Sequence, residues 1–567
     1  MRYVRGNIVR AAGINCPMAH VLETRTHRRG RRQSHRNRSR QPRLSKWSWS
    51  SPWIWVTAAV GLLVAFDVYS PAINGPFVWD DRFQPFSNHE FQNQGLLSWI
   101  SGNRPLLMFS FWANYRIGGE SPLGYHMLNL LLHLATSVLI VLVLARLLDW
   151  AGVQGNRRIV LSVFGGGLFL LHPLQTESVS YISSRSEVLS VALYFAAYTV
   201  FVRRPDGPVR VARMIVIAVL AGTALATKEH TLTLFAMMML TDLYWNPKKL
   251  RENAVMYGLA GLAGAVGGSY VFRVLHASQS AGFSLADLTP TTYFFTQCRA
   301  IWRYIRLFFV PIGQNLDTDY PVSSSILEHG AIFGLVALLA LAAAAWVFRK
   351  RWPLASFGIF TFLLLIAPTS SVIPIRDVVA EHRMYLPLIG LVLLCLELLR
   401  LLSISRLVGI GAVVLVICAA LNYRRNELWS LPIAIWQDTS EKSPAKVRPR
   451  FQLGLAYYEM GQCAPAAENF AAAARLDRPS LALLVDLGVT LGCSGRGEDG
   501  LEVLANAQRL NPNYDMVYVF RGDIYTALGD KKSAADQYEH ALALNPGNGA
   551  ARASLQRVQA RQKIHLE

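Results

Sequence analysis

From residue 53 to residue 421 the chain alternates membrane-length apolar runs with short polar connections. Runs of that length suit a hydrocarbon core of roughly 30 Å, so the pattern predicts a bundle of membrane helices rather than a soluble core. Spans are expected near 53–70, 124–148, 159–171, 187–202, 213–227, 230–244, 254–275, 331–348, 354–373, 385–402 and 406–421, eleven in all. The stretch Tyr293 to Val310 differs. Its Arg299, Arg303 and Arg306 recur at helical spacing, which predicts an amphipathic or re-entrant helix in the interface.

After residue 446 the period changes. Gly454, Gly488 and Gly522 lie 34 residues apart, as do Ala473, Ala507 and Ala541, and Phe470, Leu504 and Tyr538. Leu476, Leu510 and Leu544 keep the same interval, and Pro512 and Pro546 close the second and third units. This is the spacing of tetratricopeptide (TPR) helical hairpins, which bury their apolar faces only by stacking. The fold class is therefore all-α: a polytopic membrane domain followed by a C-terminal TPR solenoid. The expected boundaries are a basic disordered arm 1–52, a membrane domain 53–421, a linker 422–446 and a TPR domain 447–567. Its repeats fall near 447–480, 481–514 and 515–548, with a capping helix after them.

Composition agrees with a membrane protein. Of 567 residues 52% are hydrophobic and only 16% charged, and the mean hydropathy is +0.27. The formal net charge of +20 would suggest nucleic-acid binding in a soluble protein. Here the excess sits in the Arg-rich arm and in short loops containing Arg157/Arg158, Arg203/Arg204, Lys248/Lys249 and Arg349/Lys350/Arg351. Topology and anionic lipid account for it, and no nucleic-acid partner is expected. The apolar run that follows the arm is long and lacks a small-residue cleavage site, so the arm does not read as a signal peptide. The positive loops put the N-terminus in the cytoplasm and the TPR domain on the opposite, periplasmic or extracytoplasmic side of an inner or plasma membrane. Six cysteines form no metal spacing and no CxxC; Cys463 and Cys493 either pair in an oxidising outer compartment or stay as two buried thiols.

Four segments assigned to the outer face carry polar groups that lipid would not tolerate. The first holds the adjacent acids Asp80 and Asp81, between Trp79 and Phe83, and is followed by Arg104, His126 and His133. The second runs through His172 and Glu177 to Tyr181, Arg185 and Glu187; the third is Lys228-Glu229-His230; the last contains Arg376-Asp377 and Glu381-His382-Arg383. Adjacent carboxylates repel unless a cation, a proton or a substrate hydroxyl relieves them. Read without a partner, Asp80-Asp81 is a solvated acidic turn, Lys228-Glu229 an end-of-helix pair, and the two histidines interhelical hydrogen bonders. No Ser/His/Asp array, phosphate-cradling glycine loop or zinc pattern is present.

Phe77-Val-Trp-Asp-Asp, Arg104-Pro-Leu, Gly124-Tyr-His-Met-Leu-Asn-Leu-Leu-Leu-His and Leu171-His-Pro-Leu-Gln-Thr-Glu occur in series, followed by Lys228-Glu-His and Ala380-Glu-His-Arg-Met-Tyr-Leu-Pro. Over about residues 71–390 this order resembles the transmembrane-and-TPR O-mannosyltransferases and their bacterial relatives; His382 stands where that family often has Arg. The resemblance implies a C-type (GT-C) membrane glycosyltransferase. Such an enzyme moves mannose or another hexose from a polyprenyl-phosphate carrier to a protein hydroxyl, with the TPR groove binding the protein acceptor. Transfer needs a base and cationic help for the departing phosphate. Asp80 and Asp81 are the catalytic candidates, Asp81 preferred as base. Arg383, Arg376, Arg185 and Lys228 are the phosphate ligands, supported by Arg104, His126, His172, Glu177 and Glu381. No cofactor is required by the pattern, and a divalent metal ion is left open. The alternative is a non-catalytic TPR membrane scaffold for envelope proteins; a transporter is disfavoured because no inverted repeat is evident.

Overall fold

The computed structural model describes residues 52–205, 207–277 and 280–563. The basic arm, apart from Pro52, lies outside them, as do the orientation arguments that rest on it. Among the described residues the chain is helical, without a β-strand; an isolated bridge joins Ala281 and Ile375.

Each of the eleven apolar runs forms a helix. Six of the described helices are long and apolar enough to cross a membrane, or seven if the bent pair Gly155–Leu171 and Pro173–Ser180 is one span. These six define a multi-pass membrane protein. Others, such as Val211–Leu225, Pro353–Ile366 and Leu388–Leu399, are apolar but shorter. The eleven runs thus name helices correctly without fixing the number of crossings.

Proline and small residues explain much of the layout. Pro122, Pro290, Pro353 and Pro432 each stand in the first turn of a helix, where the missing N–H costs nothing. Gly358 and Gly390 bring helices Pro353–Ile366 and Leu388–Leu399 into backbone contact. A Cβ on Gly358 would lie 2.4 Å from the Gly390 carbonyl oxygen, and one on Gly390 would lie 2.5 Å from that of Gly358. Close approach at small residues is how membrane helices gain packing without help from water.

Helix Pro290–Phe309 forms where the Arg periodicity predicted it. Its apolar and aromatic face is buried, including Tyr293, Ile301 and Tyr304. Arg299, Arg303 and Arg306 donate to carbonyl oxygens of Pro321, Gly313 and Ile312, so this cationic stripe holds the following loop.

The repeats follow the 34-residue register. Helices Val447–Glu459 and Cys463–Leu476, Leu481–Cys493 and Gly497–Leu510, and Asp515–Leu528 and Lys531–Leu544 form three hairpins, and Gly549–Lys563 follows. Phe470, Leu504 and Tyr538 each fit over the glycine of their own hairpin. A Cβ at Gly454, Gly488 or Gly522 would fall 2.8, 2.6 or 2.5 Å from them. Cys463 and Cys493 form a disulfide that staples the first hairpin to the second.

One boundary differs from expectation. Residues 422–446 are not a loose linker: helix Ile404–Trp429 extends through the first part and Pro432–Lys442 fills most of the rest. The reason is apolar. Trp429, Ile435 and Trp436 are buried together with Val78, Tyr181 and Leu453, and Arg425 pairs with Asp438 across the bend at 2.8 Å.

Candidate active site

The acid pair sits in a short 3-10 turn, Trp79–Phe83. Trp79 has φ +50°, a left-handed conformation that costs a non-glycine residue roughly 1–2 kcal/mol. Aromatic packing offsets the strain. The Trp79 ring stacks on Tyr181 with centroids 6.0 Å apart and meets Trp436 edge-on at 5.7 Å.

This turn sends the two acids in opposite directions. Asp81 is 1% exposed. Its Oδ1 accepts from the Ser183 amide at 2.7 Å and the Ser183 hydroxyl at 2.6 Å, and its Oδ2 accepts from the Val78 amide at 3.1 Å. Burial nevertheless pushes its carboxyl up to about 7, against those donors. Asp80 is exposed, although protein rings it closely. Its amide donates to Tyr181 Oη at 3.0 Å. Burial lifts its carboxyl above the usual range, opposed by the Tyr181 hydroxyl and by Arg448 and His382, and assisted by Asp377. The Asp81 oxygens are thus engaged by the fold, whereas Asp80, beside the Tyr181 hydroxyl, is the more exposed of the two acids.

Around Asp80 lie groups from distant parts of the chain. His382 Nδ1 is 2.5 Å from Glu177 Oε1, and the His382 amide donates to Glu177 Oε2 at 3.2 Å. Arg448, on the first repeat helix, sits 4.7 Å over the Trp79 ring. Its Nε and Nη2 fork onto Asp317 at 2.5 and 2.6 Å, and Nη2 also pairs with Asp377. Lys446 pairs with Asp317 as well. Burial works against the Asp377 charge, but Arg448 and Lys446 hold its carboxyl below the usual range. The same helix is tied to the acid turn a second time by a fork from Arg82 to Glu459, one bond of which is 2.7 Å. Sequence reading missed Arg448 and Lys446, and it saw Asp317 only within the family-like run Asn315-Leu-Asp-Thr-Asp-Tyr, with no role. The one signal was the run Lys446-Val-Arg448-Pro-Arg450, basic residues opening the first repeat.

The expected cations divide into two kinds. Arg185 is fully buried. It donates to Asn129 at 2.8 Å, Asn114 at 2.6 Å and the Tyr125 carbonyl at 2.9 Å, with Phe111 4.6 Å from its guanidinium. Arg383, 6% exposed, gives its donors to Tyr293 Oη and the carbonyls of Val378, Thr369 and Asp377. Neither leaves a fork free for a phosphate; both build the wall. Lys228 and Arg376 are less enclosed. Lys228 is half-buried and pairs with Glu187 rather than its neighbour Glu229. Glu229 takes Arg104 at 2.9 and 3.2 Å, and His230 stands 3.5 Å from Glu187. Arg376 is exposed, and its guanidinium has no ion pair among the described residues.

The supporting residues are mostly structural. His126 bonds the Gly75 carbonyl at 3.1 Å, and His133 bonds Tyr385 at 2.8 Å and the Leu170 carbonyl at 3.0 Å. His172 bonds the Phe308 carbonyl at 2.9 Å and stacks on that ring. Glu381 accepts from the Asn315 amide at 2.6 Å and Gln314 at 3.0 Å, and burial raises its carboxyl. Among the described residues no group of three His, Cys, Asp or Glu is placed to hold a metal ion.

Apolar spans, an acid-bearing turn and a helical-repeat cover define a TPR-bearing, multi-pass membrane protein. Residues 517–548 match the tetratricopeptide repeat family model. Protein O-mannosyl-transferase F38B6.6 of Caenorhabditis elegans is 25% identical over 433 residues, covering 72% of this chain and 58% of its own length. Protein O-mannosyl-transferase Tmtc1 of Drosophila melanogaster is 32% identical over 217 residues, 35% of this chain and 24% of its own. Human protein O-mannosyl-transferase TMTC4 is 33% identical over 168 residues, 25% and 22% respectively. Among solved structures, MamA is similar at 23% identity over 23% of this chain and 77% of its own, with a TM-score of 0.22. The chain spans a little over half the length of the nematode relative and about a quarter of the other two O-mannosyl-transferases. The motif resemblance and these relatives agree: the chain is similar to the TMTC-type O-mannosyl-transferases.

Proposed function

We propose that this protein is a membrane glycosyltransferase that moves a hexose, mannose in the first instance, from a polyprenyl-phosphate carrier to the hydroxyl of a protein. The observation that carries the reading is Asp80: a carboxylate open to the outside, beside a partner acid locked into the fold.

In this reading the acceptor oxygen bonds to the anomeric carbon of the sugar as that carbon's bond to the phosphate oxygen breaks. Asp80 takes the hydroxyl proton, and the polyprenyl phosphate leaves with the electron pair. A base works best when its pKa approaches the working pH, and burial has moved Asp80 in that direction. Lys228, Arg104 and Arg376 supply positive charge for the departing phosphate. Arg185 and Arg383 shape the walls. The transfer face is the outer side, opposite the basic loops, where the TPR array engages the acceptor.

The test uses full-length protein in lipid nanodiscs, polyprenyl-phosphate mannose labelled in the sugar, and an envelope protein extract. Label should appear on protein with the wild type and disappear with Asp80→Asn. A wild type that transfers no sugar while its repeats still retain envelope proteins would replace the enzyme by the scaffold reading.

A further inference from the structure

The repeat array does more than stand beside the membrane helices: it reaches the acid turn. We infer that Arg448, on the first repeat helix, is a positioning residue of the transfer site. Its guanidinium clamps the acid-bearing turn and supplies the cation that balances Asp80, so the site is complete only with the array seated. The inference rests on the reading given under Proposed function.

Three contacts carry it. The guanidinium covers Trp79, the strained residue immediately before Asp80. The same group forks onto Asp317 and bridges to Asp377, which come from two separate connections. Glu459, three turns further along the helix, grips Arg82 on the other side of the acids. The helix therefore straddles the turn, with Arg448 at one end and Glu459 at the other.

Electrostatics makes the two grips unequal. Asp80 shares its turn with Asp81 and Arg82, and Tyr181, Arg448, Asp377 and His382 act on it from other elements. His382 is engaged by Glu177, and Lys446 by Asp317. Removing Arg448 would leave Asp80, Asp317 and Asp377 with one amine among three carboxylates. Removing Glu459 loosens the grip on the turn and frees Arg82, so it takes no cation away from the acids.

The experiment compares full-length wild type, Arg448→Gln, Arg448→Lys and Glu459→Gln in nanodiscs, reading sugar transfer against pH and amide exchange at residues 78–84. Arg448→Gln should lower transfer roughly 10- to 100-fold and move the acidic limb of the pH profile up by about one unit, since an opposite charge near a carboxylate is worth one unit or more. Arg448→Lys should restore the midpoint but not the full rate, having a charge without the fork. Glu459→Gln should not raise the midpoint, because it frees Arg82 and removes no cation. Amide exchange at the turn should rise in Arg448→Gln and fall back in Arg448→Lys. An unshifted profile in Arg448→Gln, or an equal shift in Glu459→Gln, overturns the inference and leaves Arg448 a docking contact. If the wild type transfers no sugar, the transferase reading fails separately. Exchange at 78–84 then decides the clamp, and unchanged exchange in Arg448→Gln ends it.

Discussion

Two ion clusters flank the proposed site, and they are built on opposite principles. Around Asp80, carboxylates outnumber dedicated cations: Arg448 and Lys446 are shared by Asp317 and Asp377, with Asp80 beside them. Around Lys228 each acid has its own cation, Glu187 with Lys228 and Glu229 with Arg104, and His230 is left over. An acid-rich cluster raises proton affinity and suits a base. A cluster in which every acid is matched by a cation can turn those cations toward a phosphate. His382 lies within electrostatic reach of both Asp80 and Glu187, so the two clusters are neighbours.

The contrast breaks most visibly at the acids. Asp80→Asn should lower transfer by two to four orders of magnitude, the usual worth of a general base, with little change in melting temperature. Asp81→Asn should instead melt earlier, because an amide cannot accept from the Ser183 and Val78 donors on both sides. The expected loss is about 1–3 kcal/mol. Thermal scans and transfer assays on both variants decide it; similar losses of rate with unchanged melting would erase the distinction.

At the Lys228 cluster, Lys228→Met strands the buried Glu187 carboxylate and should cost about 3–5 kcal/mol. The double variant Lys228→Met/Glu187→Gln should recover stability but not donor affinity, measured as KM for the lipid-linked sugar. Full recovery of KM would remove Lys228 from phosphate binding.

Serine at both Cys463 and Cys493 should destabilise the array by about 3–4 kcal/mol, as expected for a bridge with a sequence separation of 30. Transfer by folded protein should persist. Quantitative alkylation of both thiols in unreduced, denatured wild type would show the bridge absent.

A further effect is a pH slope. Asp81 is raised from its ordinary 3.8 to about 7 in the fold. The folded state therefore binds the extra proton between those values, and stability falls as pH rises from about 4 to about 7. Asp81→Asn should flatten this component in melting curves recorded across the window.

The repeats were legible because their packing is local: Gly454 meets Phe470 within one hairpin, and the 34-residue period carries the fit forward. Helix positions were legible for the same reason, whereas the number of crossings depends on how short helices pair. The acids were visible as a pair, but which one faces outward depends on the backbone of Trp79, whose left-handed turn no motif announces. Arg185 and Arg383 read as free cations because sequence displays charge and conceals the carbonyls that consume it. Arg448 was hidden by distance along the chain.

That distance has a consequence for how the protein is made. Synthesis delivers Trp79, Asp80 and Asp81 soon after the first membrane helix, whereas Arg448 emerges only when the last of those helices has been translated. Throughout the interval the turn has neither its guanidinium cover nor the packing of Trp436. A nascent chain thus carries its carboxylates in an unfinished setting, and arrival of the first repeat helix completes the surroundings of the turn. Ribosome stalling before codon 447 would yield a bundle whose acid turn lacks the Arg448 cover.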